Sequence, residues 1–181
     1  MTAAPRIRTR LCLSFLAMTL VMDSVPVRGG EPVPPPRAIA RVAIFAEGQT
    51  VLVHVVAPAV SLLGFAHQPR NPRERDTMRL ASDNLRTGDG LIRFNTLARC
   101  RLAKADVDTD LDIHDAEGHP EMSASYRFVC AQPDKLDSAA LGLFVGFPVL
   151  NLALVEYSLP GCKGEAGLTR SQPVVSFIPL E

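Results

Sequence analysis

The chain has 181 residues, a length for which one domain is the ordinary expectation. Hydrophobic residues make up 47% and charged residues 21%, which is typical of a globular protein with a core, and the formal net charge is zero. Because there is no basic excess, the composition argues against a nucleic-acid-binding protein.

The first 30 residues have the pattern of a secretory signal peptide. Arg6, Arg8 and Arg10 precede an apolar run over Leu11–Met22, which is too short to span a bilayer. Its removal takes away four arginines and one aspartate and leaves 15 basic and 18 acidic side chains. We therefore expect an exported protein with no membrane span after signal cleavage.

A Pro-rich stretch separates the signal from the rest of the chain. Residues 31–37 include four prolines, and such a run favours extended polyproline geometry, so we interpret it as a tether. We expect residues 38–181 to form a single domain.

The domain is predicted to begin with a β-hairpin. Apolar residues from Ala40 to Ala46 and the β-branched stretch Thr50–Val56 flank the turn signal Glu47-Gly48-Gln49. His54 lies on the opposite side of the second strand from the valines. This position predicts an exposed strand residue, with a ligand role as the alternative.

A helix is predicted over Arg73–Leu85. Asn71 before Pro72 is a favourable N-cap with proline at the first helical position. Apolar residues then recur at helical spacing, and Gly88-Asp89-Gly90 ends the segment.

The segment Arg99–Ile113 is predicted to be a long strand with an acidic side. Asp106, Asp108, Asp110 and Asp112 occupy alternate positions, and period-two spacing places them on one side of a strand. Like charges in a row repel each other, so this side is either solvated or neutralised by a cation.

The remaining elements are predicted to be strands and a second helix. Met122–Cys130 alternates as a strand, Pro133 opens a helix through about Val145, and three strands follow: Leu152–Leu159, Glu165–Arg170 and Val174–Phe177. Strands predominate, which indicates an α+β domain with a mostly antiparallel β-sheet and two helices. The order is also compatible with two similar halves.

The segment between Cys100 and Cys130 holds the chain's densest group of metal-ligand side chains. They are Asp112, His114, Asp115, Glu117, His119 and Glu121. Imidazoles and carboxylates together can bind Zn²⁺, so a divalent metal ion is the first hypothesis, and a solvated acidic edge is the second. The acidic spacing also half-matches a calcium loop, but Leu111 stands where glycine is required.

Three blocks of the chain occur in an order and spacing that resemble a known family. They are Ala57-Pro58-Ala59 with Leu63–Pro69, Ala124–Cys130 preceded by His119 and Glu121, and Leu143-Phe144 with Phe147-Pro148 leading to Val155-Glu156-Tyr157 and Pro160. Together they resemble the ZrgA-like family of periplasmic zinc-uptake proteins over residues 38–178.

The resemblance implies a secreted, non-enzymatic protein that binds Zn²⁺ and assists zinc acquisition in Gram-negative bacteria. We expect its partner to be a periplasmic zinc-transporter component. Family members carry a His-x-His-Gly element before the first strand, where this chain has Pro35, Arg37 and Ala38. They also carry a His/Asp/Glu-rich loop between two cysteines, of which His114 and His119 are the histidines here.

The same resemblance gives roles to the cysteines and to His67. Cys100 and Cys130 match the family's cysteine positions, which implies a disulfide between neighbouring strands at the base of the loop, with a thiolate metal site as the alternative. Cys162 is then a free thiol on an exposed turn, unless it pairs between chains. His67 matches a family position and is expected to be a further ligand or to hydrogen-bond the backbone.

No enzymatic activity is expected, because the motifs of hydrolases, metalloproteases and phosphate-binding loops are missing. The alternative function is a structural or protein-interaction module that kept the fold and lost the metal site. Its basis is the presence of Pro35 and Arg37 where the family has ligands.

Overall fold

A computed structural model describes residues 39–111 and 119–178. The strands are β1 Ile39–Glu47, β2 Thr50–Pro58, β3 Ile92–Phe94, β4 Cys100–Thr109, β5 Glu121–Cys130, β6 Ser138–Leu141, β7 Leu152–Leu159, β8 Cys162–Leu168 and β9 Val174–Ser176. The α-helices are α1 Ala59–Leu63, α2 Pro72–Arg86, α3 Gly88–Leu91 and α4 Leu143–Gly146. Two short 3₁₀ turns span Thr96–Ala98 and Pro133–Lys135.

Two sheets contain all of these strands. Six form a large sheet in the order β4-β5-β2-β1-β7-β8, and three form a small sheet in the order β3-β6-β9. Every pairing is antiparallel except that of β1 with β7, which is parallel. The predicted, mostly antiparallel sheet is therefore confirmed.

Alternation along the strands places one face of the large sheet in the core. In β2, Val51, Val53 and Val55 are buried while Leu52 and His54 are exposed, because successive side chains of a strand point to opposite faces. The same period of two buries alternate residues of β1, β5 and β7. His54 is thus an exposed strand residue, as predicted.

Tyr126 joins the large sheet to the long helix. Its side chain is buried in β5, and its hydroxyl donates to the Leu85 carbonyl of α2 at 2.7 Å. Burial raises the pKa of Tyr126, so the phenol stays neutral and keeps its proton as a donor. Gly88 packs against this ring, where an added Cβ would collide with the ring carbons.

The helices agree with the prediction in one case and contradict it in another. The predicted helix Arg73–Leu85 is confirmed as α2, and the Asn71 side chain accepts a hydrogen bond from the Glu74 backbone N–H as its N-cap. The helix predicted from Pro133 to about Val145 is wrong, since this stretch forms a 3₁₀ turn, β6 and the short α4.

Fold class is accordingly corrected in detail. The described residues contain four α-helices instead of the predicted two, and three of the four are a single turn or little more. A duplication into two similar halves is not evident in the strand order of the described ranges. No helix within those ranges combines the length and apolar character needed to cross a membrane.

Candidate metal site

The predicted metal loop connects β4 to β5. These strands pair along their length, from Cys100 opposite Cys130 to Thr109 opposite Met122. One step further, the Asp110 backbone N–H donates to the Glu121 carbonyl at 3.2 Å. The loop therefore begins after Asp110 and ends before Glu121, at one end of the large sheet.

The described residues include two members of the predicted ligand set at this loop. His119 is exposed, and Glu121 is half-buried as the first residue of β5. Four other predicted ligands lie outside the described residues: Asp112, His114, Asp115 and Glu117. Their role in binding zinc stays a prediction.

Hydrogen bonds fix both sides of the loop where it leaves the sheet. The Asp110 carboxylate accepts a hydrogen bond from the Glu121 backbone N–H. On the other side, the Ala59 backbone N–H at the start of α1 donates to the Pro120 carbonyl at 2.8 Å. His119, next to Pro120 in the chain, is thus one residue from an anchored position.

The carboxylate of Glu121 has a cationic partner of its own. Arg41 Nη2 in β1 donates to Glu121 Oε1 at 2.6 Å. The Arg41 side chain is 62% exposed and that of Glu121 33%, so solvent screens this pair and it adds little to stability. A zinc ion that used this carboxylate oxygen would have to displace the guanidinium.

The two cysteines lie at the opposite end of the same hairpin. Cys100 begins β4, Cys130 ends β5, and their Sγ atoms form a disulfide. The predicted disulfide is present, but its predicted position at the base of the loop is wrong. Since β4 has 10 residues and a strand rises about 3.3 Å per residue, the disulfide lies about 30 Å from the loop. It cannot contribute to a site there.

His67 follows α1 and lies beside the N-terminus of α2. Its Nδ1 is 2.8 Å from the Gln68 carbonyl, and its ring stacks on Phe65 with ring centroids 5.2 Å apart. The backbone hydrogen bond matches one of the two roles expected for His67. If Nδ1 carries the proton, Nε2 keeps the lone pair that a metal ligand needs.

Glu74 forms a variant of the capping box next to His67, in which its carboxylate binds the backbone N–H of the residue before the N-cap Asn71. It accepts hydrogen bonds from the Arg70 backbone N–H at 2.7 Å and from the Asn71 amide at 2.8 Å. The hydrogen bond from Arg70 is the largest cause that holds the pKa of Glu74 below its ordinary value of 4.5. His67 Nδ1 lies 4.0 Å from this carboxylate, so the neighbourhood favours a charged Glu74.

Cys162 is a free thiol, but the expected exposed turn is wrong. It is half-buried as the first residue of β8, and its Sγ donates to the Phe177 carbonyl at 2.8 Å.

Among residues 39–111 and 119–178, no three His, Cys, Asp or Glu side chains come close enough together to hold a metal ion.

The chain also matches a known protein family over most of its length. A family model described as "ZrgA family zinc uptake protein" matches residues 37–177. The chain belongs to the ZrgA family. A search of curated proteins found no match.

Membership of the ZrgA family confirms the resemblance seen in the sequence and connects the chain with zinc acquisition in general. The matched region contains all nine strands and the complete β4–β5 hairpin with both cysteines. Its disulfide is compatible with a protein located outside the cytoplasm, since disulfides persist in oxidising compartments.

The sequence of this ZrgA protein does not predict the contacts that two residues make with Glu121 at the loop. Arg41 binds the predicted ligand Glu121 from a position 80 residues away in the chain, and no local pattern connects them. Asp110 belongs to the predicted acidic strand, but the alternation of aspartates does not assign it to the Glu121 backbone N–H. An aspartate at the end of a strand is a typical acceptor for backbone N–H groups, and this was the available signal.

Proposed function

We propose that this protein is a periplasmic, non-enzymatic accessory protein that binds Zn²⁺ at the β4–β5 loop and passes it to a zinc-transporter component. The observation that carries the proposal is the ZrgA family match over residues 37–177. The signal-peptide pattern of residues 1–30 and the Cys100–Cys130 disulfide support export from the cytoplasm.

The donor set of the loop suits zinc as a cargo. Two imidazoles, from His114 and His119, supply the nitrogen ligands that Zn²⁺ prefers, and neighbouring carboxylates supply oxygen. The candidate oxygen donors are Asp112, Asp115, Glu117 and Glu121. Two nitrogen ligands and no thiolate make a site that holds zinc less tightly than a closed structural site, and a protein that delivers zinc must also release it.

Calorimetric titration of the purified protein with Zn²⁺ is the direct test. We expect saturable binding at micromolar zinc, and a loss of at least about tenfold in affinity, or 1.4 kcal/mol, in a His114→Ala/His119→Ala variant. A His54→Ala variant is the control, because it removes an exposed strand imidazole outside the predicted ligand set. No saturable heat, or equal isotherms for wild type and the loop variant, contradicts the proposal.

The pH dependence gives a second readout of the same site. Imidazoles bind zinc only when neutral, and an ordinary histidine has a pKa of about 6.5. We therefore expect zinc affinity to fall steadily as pH is lowered from about 7 to about 5. An affinity that stays constant over this range is inconsistent with histidine ligands.

The second candidate is a protein-interaction module that retained the fold without metal binding. The observation that favours it is the Arg41–Glu121 ion pair, in which an arginine binds the carboxylate of one of the predicted zinc ligands. Pro35 and Arg37 at the positions of the family's first histidine element point the same way. Protein that purifies with one equivalent of zinc contradicts this candidate.

A further inference from the structure

The outer face of the large sheet, the face away from the core, has an exposed apolar centre. Phe45 and Leu52 on this face are 47% and 43% exposed, and Leu154, which lies further along the sheet opposite Arg41, is 45% exposed. Phe45 lies directly opposite Leu52, and the two strands that carry them are the central pair of the sheet. A group of large apolar side chains in the middle of a sheet face is a feature of surfaces that bind a partner.

Charged residues surround this centre in two rows that cross all six strands. The first, which we call the acidic row, ends in Asp106 on β4 and Glu165 on β8. Its members, each opposite the next, are Asp106, Ser125, His54, Ala43, Glu156 and Glu165. The row has acidic side chains toward both edges of the sheet and is neutral in the middle.

The second row lies two residues further along each strand, toward the disulfide end, and we call it the basic row. Its members are Lys104, Arg127, Leu52, Phe45, Ser158 and Lys163. The basic row has the reverse charge of the acidic row at both edges of the sheet. Its centre is the apolar pair Leu52 and Phe45.

The same reversal continues one row further out on both sides. Beyond the acidic row, Asp108 lies on β4 and Arg41 on β1, whereas beyond the basic row Arg101 lies on β4 and Glu47 on β1. Along β4, β1 and β8, the charge therefore changes sign across the line between the acidic and basic rows. A pattern that is reversed about a line is complementary to its own copy.

We infer that two copies of this chain pack outer face against outer face, about a two-fold axis along the line between the acidic and basic rows. This rotation lays each strand over the same strand of the partner in the opposite direction, which is the isologous contact of a closed dimer. Asp106 then faces the partner's Lys104, and Glu165 faces the partner's Lys163. Arg41 faces the partner's Glu47.

The size of the face is sufficient for a specific, reversible dimer. Five strand spacings of about 4.8 Å and three row spacings of about 6.7 Å give a patch of about 24 by 20 Å, roughly 500 Å² in projection. Two such faces bury at least about 1,000 Å², the lower limit for a specific protein–protein interface. Face-to-face packing of sheets, with their inner side chains interdigitated, is the geometry of β-sandwiches.

Charge pairs within one copy do not account for the whole pattern. Two such pairs lie on this face: Lys104 Nζ is 2.8 Å from Asp106 Oδ2 in the same strand, and Arg41 Nη2 is 2.6 Å from Glu121 Oε1. Exposed pairs of this kind gain little in a monomer. Neither pair includes Glu47 on β1 or the two charges on β8, and neither explains why the centre of the face is apolar.

A pair of charge variants tests this dimer. The first variant, Asp106→Lys/Glu165→Lys, makes the β4 and β8 positions of both rows basic, and the second, Lys104→Glu/Lys163→Glu, makes the same positions of both rows acidic. We expect each variant alone to dimerise at least about tenfold more weakly than wild type, because like charges face each other. An equimolar mixture of the two restores opposite charges in every pair, so it should form the heterodimer.

The measurement is sedimentation equilibrium of protein purified from cells that express the full chain. Protein concentrations of about 5–500 µM span the dissociation constants expected of a weak dimer. Samples with EDTA exclude dimers bridged by zinc, and thermal unfolding confirms that each variant is folded. A wild-type protein that is monomeric throughout, or variants that dimerise as well as wild type, overturns the inference. So does a mixture that fails to form the heterodimer.

Discussion

The two ends of the β4–β5 hairpin are held by different kinds of interaction. At one end a disulfide joins Cys100 to Cys130 between directly opposite strand residues. At the other end, three polar interactions hold the loop. They are the hydrogen bond from the Glu121 N–H to the Asp110 carboxylate, the backbone hydrogen bond from Ala59 to Pro120, and the exposed Arg41–Glu121 ion pair. The same two strands thus provide a covalently fixed anchor and an end whose polar groups can exchange partners.

Removing the disulfide should have the largest effect and should affect one end only. We expect Cys100→Ser/Cys130→Ser to lower the free energy of unfolding by about 3–4 kcal/mol, as the chain-entropy model gives for a loop of this length. Urea unfolding followed by circular dichroism measures the change. Zinc affinity at the loop should be unchanged under conditions where the variant is folded. A fall in affinity equal to that of the loop variant contradicts the separation of the two ends.

The middle of the hairpin should respond less. Tyr126→Phe removes the hydroxyl that donates to the Leu85 carbonyl at 2.7 Å, and the loss of a buried hydrogen bond that leaves its acceptor unpaired costs about 1–3 kcal/mol. Urea unfolding checks this value, with Tyr157→Phe as a control at the other tyrosine. A change below the error of the measurement means that Tyr126 does not join α2 to the sheet.

A change at the loop end should alter zinc binding more than stability. Arg41→Gln frees the Glu121 carboxylate from its 2.6 Å ion pair. If Glu121 is a ligand, we expect zinc affinity to rise about two- to tenfold, while stability changes by less than about 1 kcal/mol. Arg101→Gln, on the same sheet face near the disulfide, is the matched control. Unchanged affinity in Arg41→Gln removes Glu121 from the ligand set.

The smallest effect is expected outside the hairpin, at the capping box of α2. Because the folded-state pKa of Glu74 lies below 4.5, its contribution to stability is complete above that pH and is lost as pH falls through the lowered pKa. Glu74→Gln should therefore flatten the decrease in stability below pH 4.5. Thermal unfolding at several pH values tests this. Parallel curves for the two proteins contradict it.

Strands and the long helix could be predicted because their signals are local. Alternation of apolar and polar residues predicts β5, and Asn71 with Pro72 predicts the start of α2.

The helix predicted over residues 133–145 is wrong because of tertiary contacts. Apolar residues there are also at helical spacing, but Ser138–Leu141 is a strand because it pairs with β3 on one side and β9 on the other. A four-residue strand between two short partners has too little sequence of its own to be recognised.

The residue types of the candidate site could be predicted from the sequence, but their positions relative to one another could not. The loop's ligands and the cysteine pair follow from residue type and family resemblance. The position of the disulfide at the far end of the hairpin depends on the register that sets Cys100 opposite Cys130, and the pairing of Arg41 with Glu121 depends on the placement of β1 near β5. Both are long-range arrangements, which residue patterns within one segment do not contain.

Amide chemical-shift mapping during a Zn²⁺ titration tests the difference between the two ends most directly. We expect the largest shifts at residues beside the loop, such as His119, Glu121 and Arg41. We expect none at Cys100 and Cys130, about 30 Å away along the strands. Shifts centred on the disulfide end or on His67, or no shifts at saturating zinc, would contradict the assignment of zinc binding to the loop.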